Sequence, residues 1–287
     1  MKILLIGKTG QLGGDILMNG AKHEIYAPGR DVLDLASNDG MEKVIKDFKP
    51  SVVINTAAFH NVPLCEDEWN KAFQINCVAV GNLAIACRQS DALFVTFSSD
   101  YVFGGEKRTP YLEDEKPAPL QMYGITRVAG EFAAMSSAPA NSIVIRTCGL
   151  YGLSGAASKG GNFVDKRVHD AKSSSKVEMG CDQIVAPTSS GDLSKAVLQL
   201  IEHPRLKVGI YHLVNDGECS WYEFTKAIYE TMKYNVEVVP VDRGGMSGDM
   251  RRPRYSVLAN TKAREMGITL PGWRDALERY LQFKYLT

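Results

Sequence analysis

The chain has 287 residues, 45% of them hydrophobic, and its 33 basic and 33 acidic side chains give a formal net charge of zero. That length exceeds one ordinary domain and suits a large domain with a smaller partner. Balanced charge gives no long-range pull toward nucleic acid or an anionic membrane surface, and no apolar run approaches the length of a membrane span.

The pattern alternates between strand and helix from the start. Ile3-Leu4-Leu5-Ile6 is a short apolar run ending at Gly7, as a buried parallel strand would. Gly7-Lys8-Thr9-Gly10-Gln11-Leu12-Gly13 follows, opening a helix that continues through Ile16 to Asn19. Glycines spaced in this way permit a tight turn and let a pyrophosphate approach the backbone at a helix N-terminus. A plain strand–helix turn is the simpler alternative. The position directly after the first strand favours a dinucleotide site, with Gly7, Gly10, Gln11, Leu12 and Gly13 as its contacts.

His23 to Pro28 reads as the second strand, and Gly29-Arg30-Asp31 follows it. Cofactor choice is read at this place. Arg30 offers a partner for a 2′-phosphate, Asp31 an acceptor for a ribose 2′-hydroxyl, and a solvated surface arginine is the third reading. The balance leans to NADP(H), with NAD(H) left open; Asp34 and Leu35 would border the adenine. Val44 to Phe48 closes a helix before Pro50, and Val52-Val53-Ile54-Asn55 is the next strand. Ala72 to Arg88 reads as one long amphipathic helix carrying Ile75, Ala79, Leu83 and Ala86. Phe94 to Ser99 is a strand whose polar end lies at its carboxyl edge. The loop from Glu106 to Pro119 carries Glu113, Asp114 and Glu115 and reads as a solvated loop skirting the cleft. Ile143 to Arg146 is a further strand, and Ser154 to Gly161 is the best candidate for a mobile loop. Such alternation argues for an α/β fold, a doubly wound parallel sheet with helices on both faces.

Tyr123 and Arg127 stand four apart in a helical stretch, which puts them on one face. A cation beside a phenol favours its ionised form, and a phenol so poised can hand a proton to a carbonyl oxygen as hydride reaches its carbon. The six cysteines show neither paired nor metal-ligand spacing; Cys77 and Cys87 lie in apolar stretches and read as buried free thiols of a reducing cytoplasm. His169, His203 and His212 show no ligand spacing, no catalytic metal is expected, and His60 reads as a neutral hydrogen-bonded residue near the cleft. Arg251-Arg252-Pro253-Arg254 reads as a local anion contact.

Taken together, the glycine turn, Val53-Ile54-Asn55-Thr56-Ala57-Ala58, Ser98-Ser99-Asp100-Tyr101-Val102-Phe103, Tyr123-Gly124, Asn162-Phe163, Ala186-Pro187-Thr188, Arg252-Pro253-Arg254-Tyr255-Ser256 and Leu270-Pro271-Gly272-Trp273 resemble the dTDP-4-dehydrorhamnose reductases. These are extended short-chain dehydrogenases/reductases, and the match runs nearly the whole length. The resemblance implies a Rossmann domain over 1–147 with a return segment near 185–215, and a smaller C-terminal α+β substrate domain from 148–184 and 216–287. It implies that Tyr123 donates the proton, that Ser99 holds the substrate carbonyl, and that Arg127 supplies charge. Asn76 would support that charge through water, and Ala57 and Ala58 would line the cofactor with backbone. Val62, Asp100, Phe103 and Arg252 would fall at substrate positions. The implied reaction is NAD(P)H-dependent reduction of dTDP-4-dehydro-L-rhamnose to dTDP-L-rhamnose in the cytoplasm, with a homodimer compatible with the pattern.

Four departures stand against the family pattern. Arg127 replaces Lys, Gly149 replaces a Trp that lies over the sugar, Val185 replaces a Gly, and Pro63 replaces an Asp. Arg keeps the charge but does not release a proton, as Lys can. Loss of the Trp would weaken apolar sugar contacts or open room for something larger. Two other readings therefore accompany the first: a cofactor-binding regulatory subunit with impaired turnover, and a reductase of another nucleotide sugar or carbonyl.

Overall fold

The computed structural model describes residues 1–37, 40–154 and 161–286. Its centre is a six-stranded sheet of β1 (Lys2–Ile6), β2 (Glu24–Tyr26), β3 (Val52–Asn55), β4 (Leu93–Ser99), β5 (Ser142–Thr147) and β6 (Gly209–His212). The order is β6-β5-β4-β3-β1-β2 and every pairing is parallel. Strands buried on both faces need continuous apolar runs, and β1 and β3 have them. On one face, Ile3, Leu5, Val95 and Ile145 pack with Leu12 and Ile16 of the helix Gln11–Asn19 and with Leu193 and Val197 of the helix Ser190–Glu202. On the other, Leu4, Val53, Phe94 and Val144 meet Val44, Leu83 and Ala134.

Several expected elements differ in extent. The second strand spans only Glu24–Tyr26, because Pro28 and Gly29 end the ladder early. The helix expected from Ala72 to Arg88 begins at Trp69 and ends at Gln89, and a π-turn over Gln74–Val78 interrupts it. The loop expected at Ser154 to Gly161 lies, over 155–160, outside the described residues. The acidic loop is not simply solvated: Glu113 is buried, its carboxylate accepts from the Lys262 backbone N–H at 3.0 Å, and its carbonyl accepts from Arg146 at 3.4 Å.

A second core forms around Phe224, whose ring packs against Tyr151, Phe163, Trp221 and Trp273 at centroid distances of 5.7, 5.9, 6.1 and 5.8 Å. Beside it, Glu237–Val241 pairs in parallel with Lys176–Gly180. A third cluster of Val102, Phe103, Cys148, Val185, Tyr255 and Val257 joins the ends of β4 and β5 to the C-terminal segment. Among the described residues no helix is long and apolar enough to cross a membrane. None of the six cysteines forms a disulfide; Cys87 is buried, and burial pushes it up to about 12, whereas Cys77 is only half-buried.

Candidate active site

The carboxyl edge of the sheet carries the candidate residues, and its first half is made of backbone. Gly7 has φ +94°, and a Cβ there would lie 2.5 Å from Thr56 Oγ1 and 2.8 Å from the Ala57 nitrogen. A Cβ on Gly13 would lie 2.2 Å from the Gly7 carbonyl oxygen. Gly10 differs: within 4 Å a Cβ would meet only the Gly7 oxygen, at 3.4 Å. Gly7 and Gly13 are thus closed in by neighbouring backbone, while Gly10 faces open space at a helix start that no side chain caps. A small cradle with free N–H groups fits a pyrophosphate. Thr56 ties the turn to β3 by donating to the Ile6 and Gly7 carbonyls at 2.9 and 3.2 Å, and Ala57 and Ala58 follow it half-buried. Arg30 lies exposed beyond β2 and forms no ion pair among the described residues. Asp34 accepts from the Ala36 N–H at 2.9 Å. Leu35 is turned into the core beside Leu33 and Met41, so only its backbone can border an adenine.

The second half is made of side chains. Tyr123 and Arg127 lie in the helix Met122–Ser137, and both are 8% exposed. The helical spacing brings them into direct contact: Arg127 Nε donates to Tyr123 Oη at 3.2 Å, and another guanidinium nitrogen donates to the Phe97 carbonyl at 3.2 Å. The guanidinium carbon stands 5.2 Å from the Tyr123 ring centroid. Ser99, at the end of β4, is also 8% exposed. Val62 packs with Tyr101 and Met122 around Tyr123, and Pro63 sits in the first turn of the helix Val62–Asp67, where a missing N–H does no harm.

Three expected contacts are placed differently. Phe103 is fully buried, stacked on Tyr111 at 4.1 Å with Arg146 over its other side, so it supports the cleft from within and cannot touch a substrate. Asp100 is likewise turned inward. Its carboxylate accepts from Ser99 Oγ at 2.9 Å, Ser256 Oγ at 2.6 Å and the Cys148 thiol at 3.1 Å. Burial raises Asp100 above the usual carboxylate range, and the three donors oppose that rise. Burial and the neighbouring carboxylate push the Cys148 thiol well up, which keeps it a donor. Asn76 is held by protein groups: its carbonyl accepts from Phe59 N–H at 2.9 Å, and its amide donates to Phe59 O at 2.9 Å and Thr126 Oγ1 at 3.0 Å. The π-turn that carries Asn76 buries it against the helix Met122–Ser137.

Arg252 is half-buried, and its charge opposes the burial that raises Tyr101. Tyr101 stands edge-on to Tyr123 at 6.1 Å. Gly149 does not leave an empty place. Its φ is +51°, and a Cβ would lie 3.2 Å from the edge of the Trp221 ring and 3.4 Å from Pro187 Cα. Val185 is buried in the third cluster. His60 Nδ1 lies 3.3 Å from the Ala58 carbonyl. Among the described residues no group of three or more His, Cys, Asp and Glu could hold a metal.

Sequence reasoning missed Ser256 and Cys148 as partners of Asp100, Trp221 as the neighbour of Gly149, and Thr147. The Thr147 hydroxyl and the Gln11 side-chain carbonyl are buried without a hydrogen-bond partner among the described residues, although the Gln11 amide donates to Leu150 O at 3.2 Å. The position of Thr147 at a strand end, two residues past the apolar run Ile143-Val144-Ile145, was the available signal.

The family model described as the RmlD substrate binding domain matches residues 1–285. The spore coat polysaccharide biosynthesis protein SpsK of Bacillus subtilis is 35% identical over 283 residues, covering 98% of this chain and 97% of that protein. A dTDP-4-dehydrorhamnose reductase of Burkholderia thailandensis is 32% identical over 294 residues, covering 96% and 97%. The crystal structure of dTDP-4-dehydrorhamnose reductase from Bacillus anthracis, in complex with NADP, superposes with a TM-score of 0.91 at 31% identity, covering 98% of each chain.

Proposed function

Because the chain belongs to the RmlD substrate binding domain family, we propose that it uses NADPH to reduce the 4-keto group of a dTDP-linked deoxysugar, dTDP-4-dehydro-L-rhamnose, to the alcohol. The observation that carries this reading is the contact of the Arg127 guanidinium with Tyr123 Oη at 3.2 Å, at the same sheet edge as Ser99 and the open glycine cradle.

The residues divide the work. The cradle at Gly7, Gly10 and Gly13 would take the pyrophosphate, and Arg30 the 2′-phosphate. When bound, the dinucleotide supplies hydride to the carbonyl carbon. Tyr123 gives its phenolic proton to the carbonyl oxygen. Arg127 stabilises the phenolate left behind, a fixed charge in a buried setting. Ser99, whose single hydroxyl proton goes to Asp100 at 2.9 Å in this structure, would turn that proton to the substrate oxygen to orient the carbonyl. Arg252, beside Tyr101, is placed to meet the diphosphate of the sugar nucleotide. The division into a cofactor-binding part and a smaller substrate-binding part belongs to this proposal, as does a cytoplasmic setting, where NADPH and free nucleotide sugars are found.

A single-turnover experiment tests it. Enzyme in excess, mixed with NADPH and dTDP-4-dehydrorhamnose, should consume one NADPH per substrate, read from the loss of NADPH absorbance. Saturable NADPH binding without that loss would instead support the regulatory reading, in which Arg127 has ended turnover. Gly10→Val should abolish NADPH binding while leaving the fold intact, because its side chain points into the open cradle.

A further inference from the structure

We infer that the Thr147 hydroxyl and the Gln11 side-chain carbonyl together hold the carboxamide of the bound nicotinamide, fixing which face of the ring meets Ser99 and Tyr123. This assignment rests on the function proposed above; it adds Thr147 and gives the side chain of Gln11, which the glycine motif had supplied only as a contact of the turn, a role of its own. Thr147 is 6% exposed, and its Oγ1 has no hydrogen-bond partner among the described residues. A buried hydroxyl left unpaired destabilises a fold, and such groups call for an explanation.

Its place in the sheet suggests one. Thr147 lies directly opposite Ser99 on the neighbouring parallel strand, and adjacent strands run about 4.8 Å apart. Side chains alternate along a strand, so Thr147 shares a face with Ile145 and Ser99 with Phe97. That face is also the one covered by the helix Gln11–Asn19. Gln11 opens this helix; its amide is fixed on Leu150 O, three residues beyond Thr147, which leaves its buried carbonyl unpaired. Ser98 also has an unpaired buried hydroxyl, but it belongs to the opposite face, opposite Arg146.

The chemistry matches. A carboxamide offers two N–H donors and one acceptor; an amide carbonyl accepts, and a hydroxyl does either. In a nicotinamide the carboxamide sits on the ring carbon next to the one that delivers hydride. Wherever hydride meets a carbonyl held by Tyr123 and Ser99, the carboxamide must lie beside it, and Thr147, opposite Ser99 in the sheet, carries a buried hydroxyl without a partner among the described residues.

The test needs no substrate. Thr147→Val keeps the shape and removes the hydroxyl. Ligand-free Thr147→Val should melt at or above the wild-type temperature, because an unpaired polar group has gone, yet bind NADPH about tenfold more weakly by calorimetry. Thr147→Ser should keep wild-type affinity. The 3-acetylpyridine analogue of NADP+, which has a methyl ketone and no N–H donors, should bind wild type less tightly than NADP+, because the Gln11 carbonyl loses its donor. Wild type that binds both dinucleotides equally would overturn the assignment without any variant. So would unchanged NADPH affinity in Thr147→Val alongside normal wild-type binding. Wild type that binds no NADPH at all would overturn the function proposed above, and this assignment with it.

Discussion

The two halves of the cleft are built from different materials. Where the pyrophosphate would lie the surface is backbone: glycines held by β1, β3 and one helix start, drawn from residues 7–13 and 55–58. On the reaction side it is side chains collected across the chain. Asp100 alone gathers hydroxyls and a thiol from residues 99, 148 and 256. The first kind of surface needs close backbone approach, which few residue types permit. The second needs only hydrogen-bonding groups at the right places, which many residues could supply. The contrast implies that changes on the cofactor side act on binding and changes on the reaction side act on turnover.

Tyr123→Phe is the strongest test of that contrast. It should lower the rate of ketone reduction by about 10²–10⁴-fold, the span of a lost general acid, with the NADPH dissociation constant unchanged. If NADPH binding fell equally, the two halves could not be separated. On the other side, Arg30→Ala should weaken NADPH by about 1.5–3 kcal/mol, the loss of a hydrogen bond to a charged group, and leave NADH binding unchanged. Equal losses for both dinucleotides in a calorimetric titration would make Arg30 a surface residue and return Asp31 to consideration. Arg127→Lys should sharpen the contrast within the reaction side. Lys keeps the cation beside Tyr123 and adds a group able to pass a proton to water. A rise of about tenfold in kcat, equal to about 1.4 kcal/mol of barrier, is expected in stopped-flow traces. A fall would mean the site has adapted to the guanidinium that also holds Phe97 O.

A further effect lies away from the cleft, where stability alone should respond. Burial would raise Asp165, but hydrogen bonds from Tyr285, Lys284 and Tyr280 outweigh it and lower the carboxyl below its usual range. A lowered carboxyl stabilises the fold above its unfolded value and loses that contribution as pH falls through its folded value. Asp165→Asn should therefore cost about 1–3 kcal/mol near neutral pH, and its deficit should vanish in acid melts. A deficit that persists unchanged at low pH would show that shape, not charge, ties down the C-terminal segment.

Legibility followed the same division. The five strands from β1 to β5, the glycine turn and the Tyr123–Arg127 pair were readable because their determinants are local: apolar runs, fixed spacings, a four-residue helical offset. What sequence could not show was pairing over distance. Nothing near Asp100 announces Ser256, so a buried hub reads as a substrate contact. Gly149 read as a vacancy because Trp221 arrives from another helix. Glu113 looked like part of a solvated charge run because its partners, Arg146 and Lys262, lie far along the chain.

The wide turn at Gln74–Val78 makes chain length itself a constraint. A π-turn holds one residue more than the surrounding α-helix. Deleting Ile75 would let the helix regularise, a change that looks harmless locally. Yet the residues inside the turn would be re-aimed, which would unhook Asn76 from Phe59 and Thr126. Variation along this helix should therefore be tolerant of composition on its outer face and intolerant of insertions and deletions at the turn.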